Sequence, residues 1–178
     1  MPSRWMHCVV DLIAFGRTYP EIHAQRDEPY KRLGAKHRIE RHGLYQFCKK
    51  HREPFENLLP FLMECFEDLR NSQGGDKSEE AQVDAAHNRF DYLWDEFSTD
   101  ERKYFEGLFA WIVLHPEILM SKFGVDVIGG RIHRVLEDGN EVWEDAPEVI
   151  QQYNELRKEV GKRLKEDDGL RAMLMKYG

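Results

Sequence analysis

The clearest hydrophobic pattern lies in the second half of the chain, where apolar residues recur three and four residues apart over two consecutive segments. This spacing predicts two helices, each with one apolar face. Ser98 and Glu101 form a capping box, S-x-x-E, so the second helix begins there, and Pro116 ends it. We expect the two to form an antiparallel helical hairpin. The apolar faces are Val83, Ala86, Phe90, Leu93 and Phe97 in the first helix and Tyr104, Phe105, Leu108, Trp111, Ile112 and Leu114 in the second.

Shorter helices are predicted before and after this hairpin. Residues 5–15 carry apolar residues at helical spacing and stop at Gly16. A second helix starts near Pro20, because proline is favoured in the first turn of a helix. The segment from Pro116 to Lys122 predicts a further short helix, which Gly124 closes.

Between Val125 and Trp143 the helical period is lost, and Asp138-Gly139 is a typical hairpin turn. We therefore expect a β-hairpin near residues 127–144. Asp145 with Glu148 resembles a second capping box, which would open a long final helix that Asp168-Gly169 interrupts. The apolar stripe of that helix is Val149, Tyr153, Leu156, Val160 and Leu164. The predicted fold class is mainly α, a helical bundle with one small β-hairpin.

The chain is long enough for one domain with a hydrophobic core. Residues 71–78 form a linker-like run with two glycines and no apolar residue. We expect a single helical domain over 1–178, in which this loop separates a His-rich half, 1–70, from a helical-hairpin half, 79–178.

The formal charge of −7 argues against general electrostatic binding to nucleic acid or to an anionic membrane. The charge is unevenly distributed, however. From Lys31 to Arg52 there are eight lysines and arginines and one acidic residue, Glu40. That segment is a candidate contact for a phosphate-bearing partner.

The three cysteines favour a reducing compartment. Cys8, Cys48 and Cys65 are odd in number and widely spaced, so neither a disulfide framework nor a thiolate zinc site is indicated. The amino-terminal apolar run is short and contains Asp11, unlike a signal peptide. No apolar run approaches the length of a membrane span. We expect a cytoplasmic protein with buried free thiols.

The first 42 residues hold the strongest chemical signal. Two histidines are each followed four residues later by an aspartate, which places each pair on one face of a helix. Imidazole and carboxylate ligands without thiolate suit a divalent metal such as Zn, Mn, Fe or Ni. The alternative is ordinary surface His–Asp pairs. The candidate ligands are His7, Asp11, His23, Asp27, His37 and His42, with Asp11 also a candidate to orient an imidazole.

Arg38 and Arg41 lie beside the last two of these histidines and could hold phosphate oxygens. Metal ligands next to arginines are the groups needed to hydrolyse a phosphate ester. The alternatives are a solvated basic helix face and a nucleic-acid-binding segment over residues 31–52, where aromatic side chains interleave with the charges. For His51, His87, His115 and His133 the sequence favours structural or surface roles.

The motifs His7, Phe15-Gly16, Tyr19–His23, Asp27 and His37–His42 resemble, over the first quarter of the chain, a family of small His-motif helical proteins. That resemblance implies that His23, Asp27, His37 and His42 belong to one constellation with His7. The chain is also loosely similar to HD-type metal phosphohydrolases, which are helical and use His and Asp ligands, although their adjacent His-Asp dipeptide is absent here.

We therefore expect a divalent-metal-binding helical protein that acts as a metal-dependent phosphohydrolase. The alternative from another class is a non-catalytic protein-interaction module with structural histidines. That alternative predicts an exposed apolar patch on the helical hairpin, with Trp94 or Phe109 on its surface. A homo-oligomer or a protein partner is compatible with either hypothesis.

Overall fold

The computed structural model describes residues 2–26, 54–57 and 79–177. Within these ranges the chain is mainly helical, with a small antiparallel sheet, as predicted. The elements in chain order are α1 (Arg4–Phe15), α2 (Pro20–Arg26), α3 (Glu79–Glu96), α4 (Thr99–Val113), α5 (Pro116–Phe123), β1 (Val125–Asp126), β2 (Arg131–Val135), β3 (Glu141–Asp145), α6 (Glu148–Glu166) and α7 (Asp168–Tyr177).

Helix α1 ends at Gly16 for two physical reasons. The backbone of Gly16 has φ 82°, and its N–H bonds the carbonyl of Leu12, which is a left-handed cap that glycine adopts without strain. A Cβ at this position would also lie 2.7 Å from Cγ2 of Ile132 in β2. The tight stop lets the chain turn at once into α2, which starts at Pro20 as expected.

The capping box predicted for α4 is present. The side chain of Ser98 accepts from the N–H of Glu101, and the Glu101 carboxylate accepts from the N–H of Ser98. Phe90 of α3 lies against Phe105 and Phe109 of α4, with ring centroids 6.0 and 5.6 Å apart. Phe90 of the first predicted face therefore contacts Phe105 of the second, and also Phe109, which was not predicted in that face. Leu114, expected on the buried face, is instead the carboxyl-terminal cap of α4 and is 38% exposed.

The predicted hairpin forms β2 and β3, joined by the turn that contains Gly139 at φ 83°. A short strand that was not predicted, β1, pairs with the other edge of β2. The expected capping box of Asp145 with Glu148 is wrong, because Asp145 pairs with Arg131 as the last residue of β3. The cap position of α6 is Pro147, without a side-chain hydrogen bond.

The last helices follow the predicted stripe. Val149, Tyr153, Leu156 and Val160 of α6 are buried, and the Tyr153 hydroxyl donates to the carbonyl of Val113 at 2.7 Å. The helix breaks at Asp167, one residue earlier than expected, and the Asp167 carboxylate accepts from the N–H of Leu170 in α7.

The predictions about domain organisation and membrane spans can be compared with only part of the chain. The loop at 71–78 and most of the His-rich half lie outside the described residues, so the single-domain organisation stays a prediction. None of the described helices is long and apolar enough to cross a membrane.

Candidate metal centre

Three histidines from three different helices meet in the interior of the protein. His7 lies on α1, His23 on α2 and His87 on α3, and the three residues are 4%, 1% and 3% exposed. One ring nitrogen from each lies within 4.8 Å of the other two. Among the described residues, these three histidines are therefore close enough to hold one metal ion.

The local sequence explains how the first two histidines approach each other. His7 and Asp11 lie one turn apart on α1, on the same face. The carboxylate of Asp11 accepts from the backbone N–H of Tyr19 at 3.0 Å, just before α2 begins. That bond ties the start of α2 to α1, and the short helix then brings His23 back over the His7 face.

Helix α6 also contacts the link between α1 and α2. The N–H of Thr18 donates to the side-chain carbonyl of Gln152 at 3.0 Å, and the Gln152 amide donates back to the Thr18 carbonyl at 3.2 Å. Arg17 lies 3.1 Å from Glu148 at the start of α6. The link between α1 and α2 is thus held by contacts from its own side chains and from the last long helix.

Two buried aspartates complete the cluster. Asp11 Oδ2 lies 2.5 Å from His23 Nε2, and His23 Nδ1 lies 2.7 Å from His87 Nδ1. Asp91, one turn beyond His87 on α3, places Oδ2 3.3 Å from His87 Nε2 and Oδ1 3.0 Å from His7 Nε2. The five side chains form one continuous polar chain that runs Asp11, His23, His87, Asp91, His7.

Two of the imidazole rings stack face to face. His7 and His87 lie 3.9 Å apart between ring centroids with an angle of 18° between planes, whereas His23, 4.9 Å from His87, meets that ring nitrogen to nitrogen. The edge of Phe90 packs against the His7 ring at 5.2 Å. The polar cluster is therefore bounded directly by the apolar core on the α3 side.

Burial shifts the pKa values of His7 and Asp11. Burial lowers the pKa of His7 to about 4, and the neighbouring Asp91 only partly opposes this. Burial likewise raises the pKa of Asp11, against the hydrogen bond from His23. His7 is therefore neutral at pH 7, which is the form that binds a metal.

Of the sequence-predicted site residues, the structure brings His7, Asp11 and His23 together. Asp27, His37, His42, Arg38 and Arg41 lie outside the described residues, as does the rest of the basic segment 31–52. Their roles as ligands, as phosphate-holding groups or as a nucleic-acid contact therefore stay predictions.

His87 and Asp91 were not predicted for the site, since the sequence favoured a structural role for His87. The signal was nevertheless present, because His87 and Asp91 repeat for a third time the His-x3-Asp spacing of His7 with Asp11 and of His23 with Asp27. Each member of the third pair directly follows a buried residue of the α3 seam, His87 after Ala86 and Asp91 after Phe90. An imidazole in that position must find its hydrogen-bond partners inside the protein.

Cys8 adjoins His7 in sequence but offers no further ligand or nucleophile. The thiol is buried and free, and burial raises its pKa far above neutrality. It is therefore an unreactive thiol at neutral pH, as predicted from its apolar surroundings.

Three nitrogen ligands would occupy three of the four positions of a tetrahedral metal ion. Carboxylates that contact the ligand imidazoles are the usual surroundings of such a centre.

Comparison of the chain with protein-family models, with curated proteins and with solved structures finds no significant match. The resemblance to a His-motif family accordingly stays a prediction. The functional argument depends on the geometry of the cluster.

Proposed function

We propose that the protein binds a divalent transition metal through His7, His23 and His87 and uses it to hydrolyse a phosphate ester. The observation that carries the proposal is the convergence of three buried imidazoles from three separate helices, each with one ring nitrogen within 4.8 Å of the others. Burying three imidazoles and two carboxylates costs free energy that an apolar interior would not require. Metal binding would explain why the protein buries these polar groups despite that cost.

The ligand chemistry favours a subset of metals. Three neutral nitrogen atoms without thiolate suit Zn, Fe and Ni better than the hard ions Mg and Ca, which prefer oxygen. The two aspartates in the cluster, Asp11 and Asp91, supply negative charge that a divalent cation would balance. Zinc is the first metal to test.

The hydrolytic step follows from the open coordination position. A zinc-bound water loses its proton near neutral pH and becomes a strong nucleophile. Phosphate esters are the proposed substrates because the segment from Lys31 to Arg52 is strongly basic. Arg38 and Arg41 are the residues that we propose to bind the phosphate oxygens.

Metal analysis tests the binding proposal directly. The protein is purified without a nickel column, incubated with zinc, dialysed and analysed for metal beside two variants. We expect ~1 equivalent in the wild type and in the control His133→Ala, whose ring lies on β2 outside the cluster, and less than ~0.3 in His23→Ala. A wild-type value below ~0.3 equivalents would overturn the proposal.

Hydrolysis of a generic substrate tests the catalytic part. Zinc-loaded protein is assayed with p-nitrophenyl phosphate and with bis(p-nitrophenyl) phosphate. We expect activity that chelation abolishes and that Arg38→Ala and Arg41→Ala lower by ~10-fold or more at unchanged zinc content. Full zinc occupancy without hydrolysis of either ester would restrict the protein to metal binding.

One observation favours the non-catalytic alternative. With one hydrogen between the two Nδ1 atoms, the 2.7 Å contact of His23 with His87 and the 2.5 Å contact of His23 with Asp11 satisfy these rings without any metal. In that case the cluster is only a buried hydrogen-bond network, and zinc would leave stability unchanged. The two aromatic side chains named as examples of its exposed surface are buried, Trp94 at 7% exposure and Phe109 fully.

A further inference from the structure

The imidazoles of His23 and His87 are oriented in the same way relative to their neighbouring aspartates. His23 and His87 each turn Nε2 towards a carboxylate, at 2.5 Å to Asp11 and 3.3 Å to Asp91. Each turns Nδ1 towards the Nδ1 of the other ring, at 2.7 Å. The two rings therefore face each other through the same atom, with an aspartate behind each.

Hydrogen-bond accounting shows what this arrangement requires. A neutral imidazole carries one N–H and one lone pair. If both rings donate Nε2–H to their aspartates, both Nδ1 lone pairs point into the same gap, and two lone pairs at that distance repel each other. A cation between them, either a proton or a metal ion, removes the repulsion.

We infer that the metal is bound through Nδ1 of His23 and Nδ1 of His87, and that Asp11 and Asp91 are positioning residues that accept the Nε2 protons. This inference rests on the proposed metal binding and specifies its mode. The imidazole N–H that does not face the metal commonly donates to a carboxylate, which sets the tautomer of the ring.

The spacing of the rings is compatible with this mode. Two nitrogen ligands of a tetrahedral zinc, each at about 2.0–2.1 Å, are separated by roughly 3.3 Å. The Nδ1 atoms lie 2.7 Å apart. Zinc binding in this mode therefore requires the gap to open by about 0.6 Å and the two rings to rotate.

The aspartates are themselves held in place, as positioning residues need to be. Asp11 Oδ2 accepts from the N–H of Tyr19 as well as from His23. Asp91 is shared, because its second oxygen lies 3.0 Å from Nε2 of His7. One carboxylate thus orients rings from α1 and α3, and the other ties α1 to α2.

Nitrogen-15 NMR of the histidine rings tests the mode without any mutation. In zinc-loaded wild-type protein, long-range proton–nitrogen correlations distinguish a ring nitrogen that carries hydrogen from one that binds zinc. We expect Nε2–H and zinc-bound Nδ1 for both His23 and His87. Zinc bound at Nε2 of either ring, with hydrogen on Nδ1, would overturn the inference.

Two variants test the positioning role, with a buried carboxylate outside the cluster as the control. We expect Asp11→Asn and Asp91→Asn to weaken zinc binding by ~10–100-fold and to populate the second tautomer of the adjacent ring. Asp126→Asn should change neither. Unchanged zinc affinity and unchanged tautomers in both cluster variants would count against the inference.

Failure of the inference is distinguishable from failure of the proposed function. Stoichiometric zinc at Nε2 refutes the mode and leaves metal binding intact. Absence of zinc from the wild type refutes both. Circular dichroism of each metal-free variant identifies any that does not fold, and the wild-type NMR measurement decides the mode independently of the variants.

Discussion

Helix α3 has two buried sides with opposite chemistry. Towards α4 it presents Val83 and Phe90, which pack into the apolar core. Towards α1 and α2 it presents His87 and Asp91, which lie against His23 of α2 and His7 of α1. Both sides are buried from solvent, but different interactions stabilise them.

The comparison shows which side of α3 accounts for most of its contribution to folding. Apolar packing is non-directional and stabilises in proportion to the area buried. A buried polar network gains little over an apolar one of the same shape and is costly when one partner is lost. The polar side of α3 therefore needs a reason other than stability, and metal binding is the reason proposed above.

The largest expected effect comes from the apolar side. Phe105 is fully buried and contacts Phe90, Phe97 and Phe109, the last at 4.7 Å between ring centroids. Phe105→Ala should lower the free energy of unfolding by about 3–5 kcal/mol, because it removes hydrophobic contacts and leaves a cavity. Urea denaturation measures the change.

A surface residue provides the control for that measurement. Ile128 is 69% exposed, so Ile128→Ala should change stability by less than about 0.5 kcal/mol. If Phe105→Ala cost no more than the surface variant, the assignment of the apolar side as the stabilising one would be wrong.

The next largest effect is the stabilisation that zinc should produce by binding at the polar side of α3. Zinc at about 100 times its dissociation constant should raise the free energy of unfolding by about 2.7 kcal/mol, since only the folded protein assembles the three histidines. His87→Ala should abolish the gain, and His133→Ala should keep it. Thermal unfolding of the wild type and of both variants, with zinc and with chelator, measures this gain in stability.

Zinc stabilisation that persisted in His87→Ala would place the metal elsewhere. An absence of stabilisation in the wild type would make the polar side of α3 a structural network. Either result separates the two accounts of the cluster, because only metal binding predicts a gain that depends on His87.

A smaller effect is expected where a single polar group lies within the apolar core. The Tyr153 hydroxyl donates to the carbonyl of Val113 at the end of α4. Tyr153→Phe leaves that carbonyl without its donor in a buried position and should cost about 1–2 kcal/mol. Val160→Ala on the same helix, a pure packing loss, provides the comparison in the same denaturation series.

Most elements could be predicted from the sequence because their signals are local. Gly16 ends α1, Ser98 with Glu101 caps α4, and Asp138-Gly139 turns the hairpin. The capping box expected at Asp145 was wrong because the contact that decides its structure is not local. Its pairing with Arg131 places it in β3, and a pairing between strands outweighs a capping pattern of four residues.

The site could be predicted only in part for the same physical reason. His7, Asp11 and His23 lie within one short segment, so their spacing alone suggested a common site. His87 lies 64 residues beyond His23, and only the packing of α3 against α1 and α2 brings them together. Spacing identifies the face of a helix, whereas the neighbour of that face depends on tertiary structure.

The smallest expected effect concerns the Asp126 carboxylate, at the turn between β1 and β2. The N–H of Gly129 and the guanidinium of Arg131 donate to Asp126 and hold its pKa below the usual value. This stabilisation is present above about pH 4, the ordinary range of the unfolded side chain, and is lost as the pH falls through the lower folded pKa. Arg131 is partly exposed, so solvent screens the pair and we expect about 1 kcal/mol or less. Urea denaturation from about pH 7 to about pH 3 should show Asp126→Asn less stable than wild type near neutrality and converging with it in acid. A constant difference across that range would mean that the turn geometry, and not the charge, supplies the stabilisation.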